Sequence, residues 1–313
     1  MKNFPLLHFE ILIILYLTGF AFISIFVPKN LKKITLWFAP LYGTILIALL
    51  GTASSFGRLS MNQGIYLINF IVLFLFLYAL FTRKFAFIFS KNTLLIWLFL
   101  FFLSPFFSLS WDNADLLTNS DFLIKHIVLD TYPFNHTFAD NNYLVGISSM
   151  IAYFAVLLKQ DVSIIVQILP NVYLTVFFPL AFILIKHLTI TIRLILLGLF
   201  YLLLKFFPPT FPFFLCVLIF LSMIILVREY FLGVRSGKIA VHFNTFDLLT
   251  ALTLSSLAVI YPPGFKLAAA AFLFLTIVSL FLKKDRWFMI LSIIKIIILA
   301  VLINPVAVGL VFI

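Results

Sequence analysis

Long apolar stretches alternate with short polar breaks along the whole chain. The runs fall at about 9–27, 34–52, 65–82, 92–109, 143–158, 163–185, 193–207, 212–227, 246–260, 265–282 and 287–303, each close to the roughly 20 residues that span hydrocarbon as a helix. Strict alternation of apolar and polar residues, the mark of a transmembrane β-barrel strand, is absent. The breaks gather Lys, Arg, Pro and Asn, which end helices or sit at membrane surfaces. The pattern predicts an all-α protein, a polytopic membrane helix bundle.

Composition agrees. Of 313 residues 65% are hydrophobic and 10% charged, too little charge for the surface of a soluble domain. The formal charge of +11 is spread between apolar runs and not gathered on a polar domain, so it sets topology and does not point to nucleic acid. Cys216, the single cysteine, excludes a disulfide framework and a thiolate metal cluster. The first run lacks a small-residue cleavage site and reads as a permanent span. The chain stops at Ile313 within apolar sequence, as a piece of a longer protein would.

If all eleven runs crossed, the basic breaks after residue 185 would face the opposite side from those before residue 92, against the positive-inside rule. The stretch 143–158 is short and carries Tyr143, Ser148 and Ser149. It is therefore expected to lie at the membrane surface, leaving about ten transmembrane helices with the N-terminus outside. Lys29, Lys32, Lys33, Arg83, Lys84, Lys91, Lys186, Arg193, Arg228, Arg235, Lys238, Lys283, Lys284 and Arg286 then lie in the cytoplasm. The segment 110–142 falls outside, with the proline turns Pro208-Pro209-Thr210-Phe211-Pro212 and Tyr261-Pro262-Pro263-Gly264. Residues 1–91 form a group of N-terminal transmembrane helices, and 92–313 the core.

That outer segment holds Asp112, Asp115, Asp121, Asp130 and Asp140, half of the ten carboxylates in the chain. Residues 121–130 read as a short amphipathic helix with Asp121 and Lys125 on one face at i,i+4, an arrangement that an ordinary surface ion pair also explains. Asp112 and Asp115 suit helix capping, or paired carboxylates for metal or general-base work. His136 and Asp140 would share a divalent ion only on a helix, and Pro133 and Asn135 make a turn an equal reading.

Lys205 and Lys266 stand near the two proline turns. Snorkelling to the interface explains them, and so does holding a phosphate. Lys295, between Ile293-Ile294 and Ile296-Ile297, falls in mid-run; an ionisable group there is a functional residue or pairs with another helix. Asp247, Glu229 and Glu10 are expected at interfaces.

The layout of leading spans, an outer loop with an Asp-rich amphipathic segment, a surface helix and spans paired through proline turns resembles the GT-C superfamily of multi-pass membrane glycosyltransferases. Ser120-Asp121-Phe122-Leu123-Ile124-Lys125-His126 is similar to the Asp-x-x-x-His type of segment in the first outer loop of bacterial and archaeal members. Ser255-Ser256-Leu257-Ala258-Val259-Ile260-Tyr261-Pro262-Pro263 is similar to a later helix-turn-helix of the fold. The resemblance covers roughly 92–303 and implies a plasma-membrane enzyme that takes sugar from a polyprenyl-phosphate carrier. It implies Asp121, with Asp112 and Asp115, as catalytic carboxylates. Lys125, His126, Lys205, Lys266 and Tyr261 become substrate-binding residues, and membrane lipid the surroundings. Asp121 and His126 stand one residue further apart than the family's spacing, so either Lys125 or His126 takes the histidine's place. The turn at 208–212 lacks the acidic residue with which many members hold a metal, so the resemblance does not carry a metal-dependent mechanism over to this chain, and a divalent cation, Mg or Mn, stands only as an open alternative. A transporter or flippase for a lipid-linked or amphiphilic substrate, and a non-catalytic membrane scaffold, are the alternatives.

Overall fold

The computed structural model describes residues 4–27, 35–56, 59–82, 145–185, 188–206, 209–234, 245–281 and 286–304. Among these the regular structure is helical throughout: α1 (Phe4–Phe26), α2 (Thr35–Phe56), α3 (Met61–Phe81), α4 (Val145–Leu158), α5 (Val162–Leu184), α6 (Ile190–Phe206), α7 (Phe211–Val234), α8 (Thr245–Ile260), α9 (Pro262–Phe281) and α10 (Arg286–Ile303). The apolar run expected at 92–109 lies outside the described residues.

Four helices, α1, α2, α3 and α5, are long and apolar enough to cross a membrane, and α4, α7, α8 and α10 carry shorter apolar stretches. Among the described residues the protein is all-helical, and its apolar helices are compatible with an integral membrane protein.

Local chemistry sets the ends. A capping box opens α3: the Gln63 amide donates to Ser60 Oγ at 3.3 Å, and the Ser60 amide donates to Gln63 Oε1 at 2.9 Å. At the end of α4 the Gln160 amide donates to the Ala155 carbonyl at 3.0 Å and the Lys159 amide to that of Val156 at 3.3 Å, a Schellman closure. It holds Lys159 at φ 52°, a conformation that favours glycine. Pro40 interrupts α2, and Pro170 and Pro179 interrupt α5. Thr44 Oγ1 donates to the Pro40 carbonyl one turn back at 2.9 Å.

Helices α2, α5 and α8 form the centre. Every residue of α5 from Ile168 to Leu180, and of α8 from Leu249 to Ile260, is buried. Outward faces of α3, α6, α9 and α10 expose large apolar side chains, among them Phe70, Phe74, Leu199, Leu203, Phe274 and Leu302. Water does not tolerate such a coat, whereas lipid does.

Small residues bring the inner helices together. A Cβ on Gly19 would strike the Ala39 carbonyl oxygen, and one on Gly43 the Leu15 carbonyl, so α1 and α2 touch backbone to backbone. This is the small-residue packing that replaces hydrophobic burial between helices in lipid.

The stretch 143–158 departs from expectation. All residues of α4 from Gly146 to Ala155 are buried, and the helix packs against α2, α3, α5 and α8. It does not lie on the surface of the bundle. The physical reason is that its two serines share the helix with an otherwise apolar sequence and make no continuous polar face, so no flank favours water.

Candidate functional site at the corner end of the bundle

Close contacts fix which helix ends lie together. A Cβ on Gly146, at the start of α4, would come 2.8 Å from the Val259 carbonyl oxygen, at the end of α8. A Cβ on Gly51, late in α2, would come 2.9 Å from Ser149 Cβ, and one on Gly64, early in α3, 3.2 Å from Ser54 Cβ. Tyr42, early in α2, has its hydroxyl 3.0 Å from that of Thr253 and within 3.5 Å of the Leu249 carbonyl, so α2 and α8 run in the same direction. One end of the bundle thus carries the last turns of α2 and α8 and the first turns of α3 and α4.

The second proline corner is built at this end. Tyr261 closes α8, its amide donating to the Leu257 carbonyl at 2.9 Å, and its own carbonyl accepts from Gly264 at 2.8 Å to start α9. Pro262 and Pro263 stand in the first turn of α9, where their missing N–H groups cost nothing. The Tyr261 ring meets Phe213 edge-on at 6.1 Å, and a Cβ on Gly264 would strike Cys216 Sγ. Phe213 and Cys216 belong to the first turns of α7, just after the other proline corner. The two corners therefore adjoin.

Helix α6 packs on the later half of α5 and leads into the first corner. Late α5 lies at the same end, since His8 Nε2 of α1 is 3.3 Å from Thr175 Oγ1 and α1 runs antiparallel to α2 through Gly19 and Gly43. Phe200 of α6 stacks on Phe177 of α5 at 4.6 Å, and Phe211, at the start of α7, meets Tyr173 of α5 at 5.6 Å. The buried side chains of α6 are Leu197 and Leu204.

The expected binding residues divide accordingly. Lys205, in the last turn of α6, and Lys266, the fifth residue of α9, flank the two corners and are exposed; Tyr261 between them is half-buried. Asp112, Asp115, Asp121, Lys125, His126, His136 and Asp140 lie outside the described residues, but the chain re-enters the bundle from that segment at Gly146, against Val259. Among the described residues no three His, Cys, Asp or Glu side chains gather as a metal requires.

At the opposite end Lys295 pairs with Asp247, its Nζ 3.2 Å from Oδ2, with Asp247 fully buried in the first turn of α8. Pairing with another helix was one of the two readings of Lys295. Sequence reasoning used Ser148, Ser149, Ser255 and Ser256 only for topology and resemblance, and passed over Thr250 and Thr253 of α8. The signal was present in Thr250-Ala251-Leu252-Thr253-Leu254-Ser255-Ser256, four hydroxyl groups in seven residues of an apolar run. Compared with protein-family models, curated proteins and solved structures, the chain matches none.

Proposed function

We propose that the chain is a membrane glycosyltransferase that moves a sugar from a polyprenyl-phosphate carrier to an acceptor hydroxyl, with its reaction centre at the corner end on the extracytoplasmic face. The meeting of Tyr261 with Phe213, which joins the two proline corners beside the entry of α4, carries the reading. It gathers, at one end, both corner lysines and the point where the acidic segment returns.

In this reading the carrier's phosphate sits against Lys205 and Lys266 while its tail stays in lipid. The acceptor oxygen attacks the anomeric carbon, the bond from that carbon to the phosphate oxygen breaks, and Asp121 takes the acceptor proton. The phosphate leaves as an anion and needs cationic stabilisation, not a proton. Asp112 and Asp115 support the carboxylate side, and Lys125, His126 and Tyr261 position substrate.

The same reading includes ten crossings, with α6 in place of 143–158 as the helix that turns back without crossing. Basic clusters around Lys32, Lys84, Lys238 and Lys284 then share the cytoplasmic face, and only Lys186 and Arg193 move outside.

Asp121→Asn tests the chemistry. Membranes holding the variant, given polyprenyl-phosphate hexose labelled in the sugar, are expected to lose transfer; transfer at the wild-type rate with normal expression sinks the assignment. A transporter reading draws on a different observation, the buried Lys295–Asp247 pair inside the bundle. It predicts movement of the labelled lipid across reconstituted vesicles without any sugar transfer.

A further inference from the structure

A tyrosine hydroxyl buried among apolar helices has to find an acceptor there, since no bulk water replaces it. Two tyrosines at the centre of the bundle find the same kind. Tyr42 of α2 has its hydroxyl 3.0 Å from Thr253 Oγ1 of α8, and Tyr173 of α5 has its hydroxyl against Thr44 Oγ1 of α2. Each threonine already donates its own proton one turn back, Thr253 to the Leu249 carbonyl at 2.7 Å and Thr44 to the Pro40 carbonyl at 2.9 Å. The tyrosines are therefore the donors, and each bond joins two helices. Tyr173 also reaches Met150 Sδ of α4 at 3.2 Å.

Both bonds meet on α2, and each leads to a different corner. Two residues of a helix are turned about 200° apart, so Tyr42 serves α8 while Thr44 serves α5 on the far side. From Thr253, α8 continues without a break to Tyr261 in the second corner. The Tyr173 ring meets Phe211, inside the first corner, at 5.6 Å. The Tyr42 ring is seated independently of its hydroxyl, stacked on Phe22 of α1 at 6.0 Å. The corners touch each other only side by side, through the edge contact of Tyr261 with Phe213, which is 47% exposed. Such an apolar contact is non-directional, and in lipid it lacks the hydrophobic drive that would hold it closed. The directional bonds beneath it are left to fix the spacing.

We infer that Tyr42 and Tyr173 are positioning residues whose hydroxyls, through α2, set how far apart the two proline corners stand, and with them Lys205 and Lys266. A phosphate held by both lysines needs that spacing, and this use of the bonds rests on the proposed reaction. The spacing itself does not. Losing either hydroxyl frees one corner to shift against the other while both rings stay packed.

The experiment uses the full chain in lipid bilayers with Cys216→Ala as background. Spin labels on Thr210→Cys and Leu267→Cys, exposed beside the first and second corners, report the spacing. Tyr42→Phe and Tyr173→Phe are each expected to move the mean spin–spin distance by about 1–2 Å, the scale of a helix shift. Tyr153→Phe is the control. It loses a tyrosine bond of 2.8 Å to Asn69 Oδ1, between α4 and α3, which carry neither corner, and should keep the parent distance. A parent distance in both test variants overturns the inference even if they melt lower, because the bonds are then structural only. An equal change in Tyr153→Phe overturns it too. If a phenylalanine variant fails to fold, Thr253→Val or Thr44→Val removes the acceptor instead and is judged by the same distance. KM for polyprenyl-phosphate hexose on the same preparations tests the reaction separately. A distance that moves in a protein whose parent transfers no sugar keeps the positioning role and strikes the reaction.

Discussion

Lys295 in the middle of α10 places Nζ 3.2 Å from Oδ2 of Asp247 in the first turn of α8, across 48 residues of sequence. Asp247 is fully buried and the lysine 14% exposed, so each charge is held where water is scarce. Removing one partner leaves the other charge in a low-dielectric setting, which costs about 3–5 kcal/mol, whereas replacing both by apolar groups is near neutral. Lys295→Met and Asp247→Leu are each expected to lower stability by that amount. The pair Lys295→Met with Asp247→Leu should recover most of it. Denaturant unfolding in micelles, read as a double-mutant cycle, checks this; additive losses would mean that the two side chains act separately.

Gly19 and Gly198 make an opposed pair. A methyl group on Gly19 meets the Ala39 backbone, and α1 and α2 must separate along their length to accept it. Gly19→Ala should cost about 1–3 kcal/mol, as overpacking does. Gly198, exposed in α6, has nothing within 4 Å of its would-be Cβ. There Gly198→Ala should add about 0.4–1 kcal/mol by restricting the unfolded chain. Thermal unfolding of the two variants beside the parent reads both signs.

The positions of the helices were legible because run length alone betrays them. The run at 163–185 is α5 to within a residue, and that at 246–260 is α8 to within a residue. The setting of each helix was harder to read, since a helix enclosed by protein and one facing lipid are equally apolar. For 143–158 the small residues Gly146, Ser148, Ser149 and Ala152 were the available clue, because such residues mark close contacts between helices. Length and two serines outweighed them. Pairs such as Tyr42 with Thr253 or Asp247 with Lys295 leave no local trace, as they depend on which helices become neighbours. The convergence of the two proline corners was expected only as a shared side, and the contact of Tyr261 with Phe213 adds that they touch. The acidic segment, where the sequence concentrates its carboxylates, lies outside the described residues.

Proposed crossings give a labelling prediction. Thr189 and Thr210, on either side of α6, and Lys159, at the opposite end between α4 and α5, are all exposed. With Cys216→Ala as background, Thr189→Cys and Thr210→Cys should both react with an impermeant maleimide added to intact cells. Lys159→Cys should react only after the membrane is opened. If the two threonine positions label from opposite faces, α6 crosses and the ten-crossing arrangement fails.

Lys205 and Lys266 occupy opposite kinds of helix end. Lys205 stands in the last turn of α6, where the dipole favours a cation, so its charge has a structural use. Lys266 is the fifth residue of α9, just past its first turn, where the dipole weakly opposes one. Neutralising Lys266 should therefore leave stability unchanged or slightly higher, and neutralising Lys205 slightly lower. If both hold the donor phosphate, loss of one charge-assisted contact raises KM for polyprenyl-phosphate hexose about tenfold in Lys205→Gln and in Lys266→Gln alike. Arginine at either position, still a cation, should restore much of it. Melting temperature and KM measured on the same preparations tell the roles apart. A Lys266→Gln variant that melts higher and keeps its KM would remove that lysine from the phosphate site, because a cation kept against the helix dipole would then have no ligand to justify it.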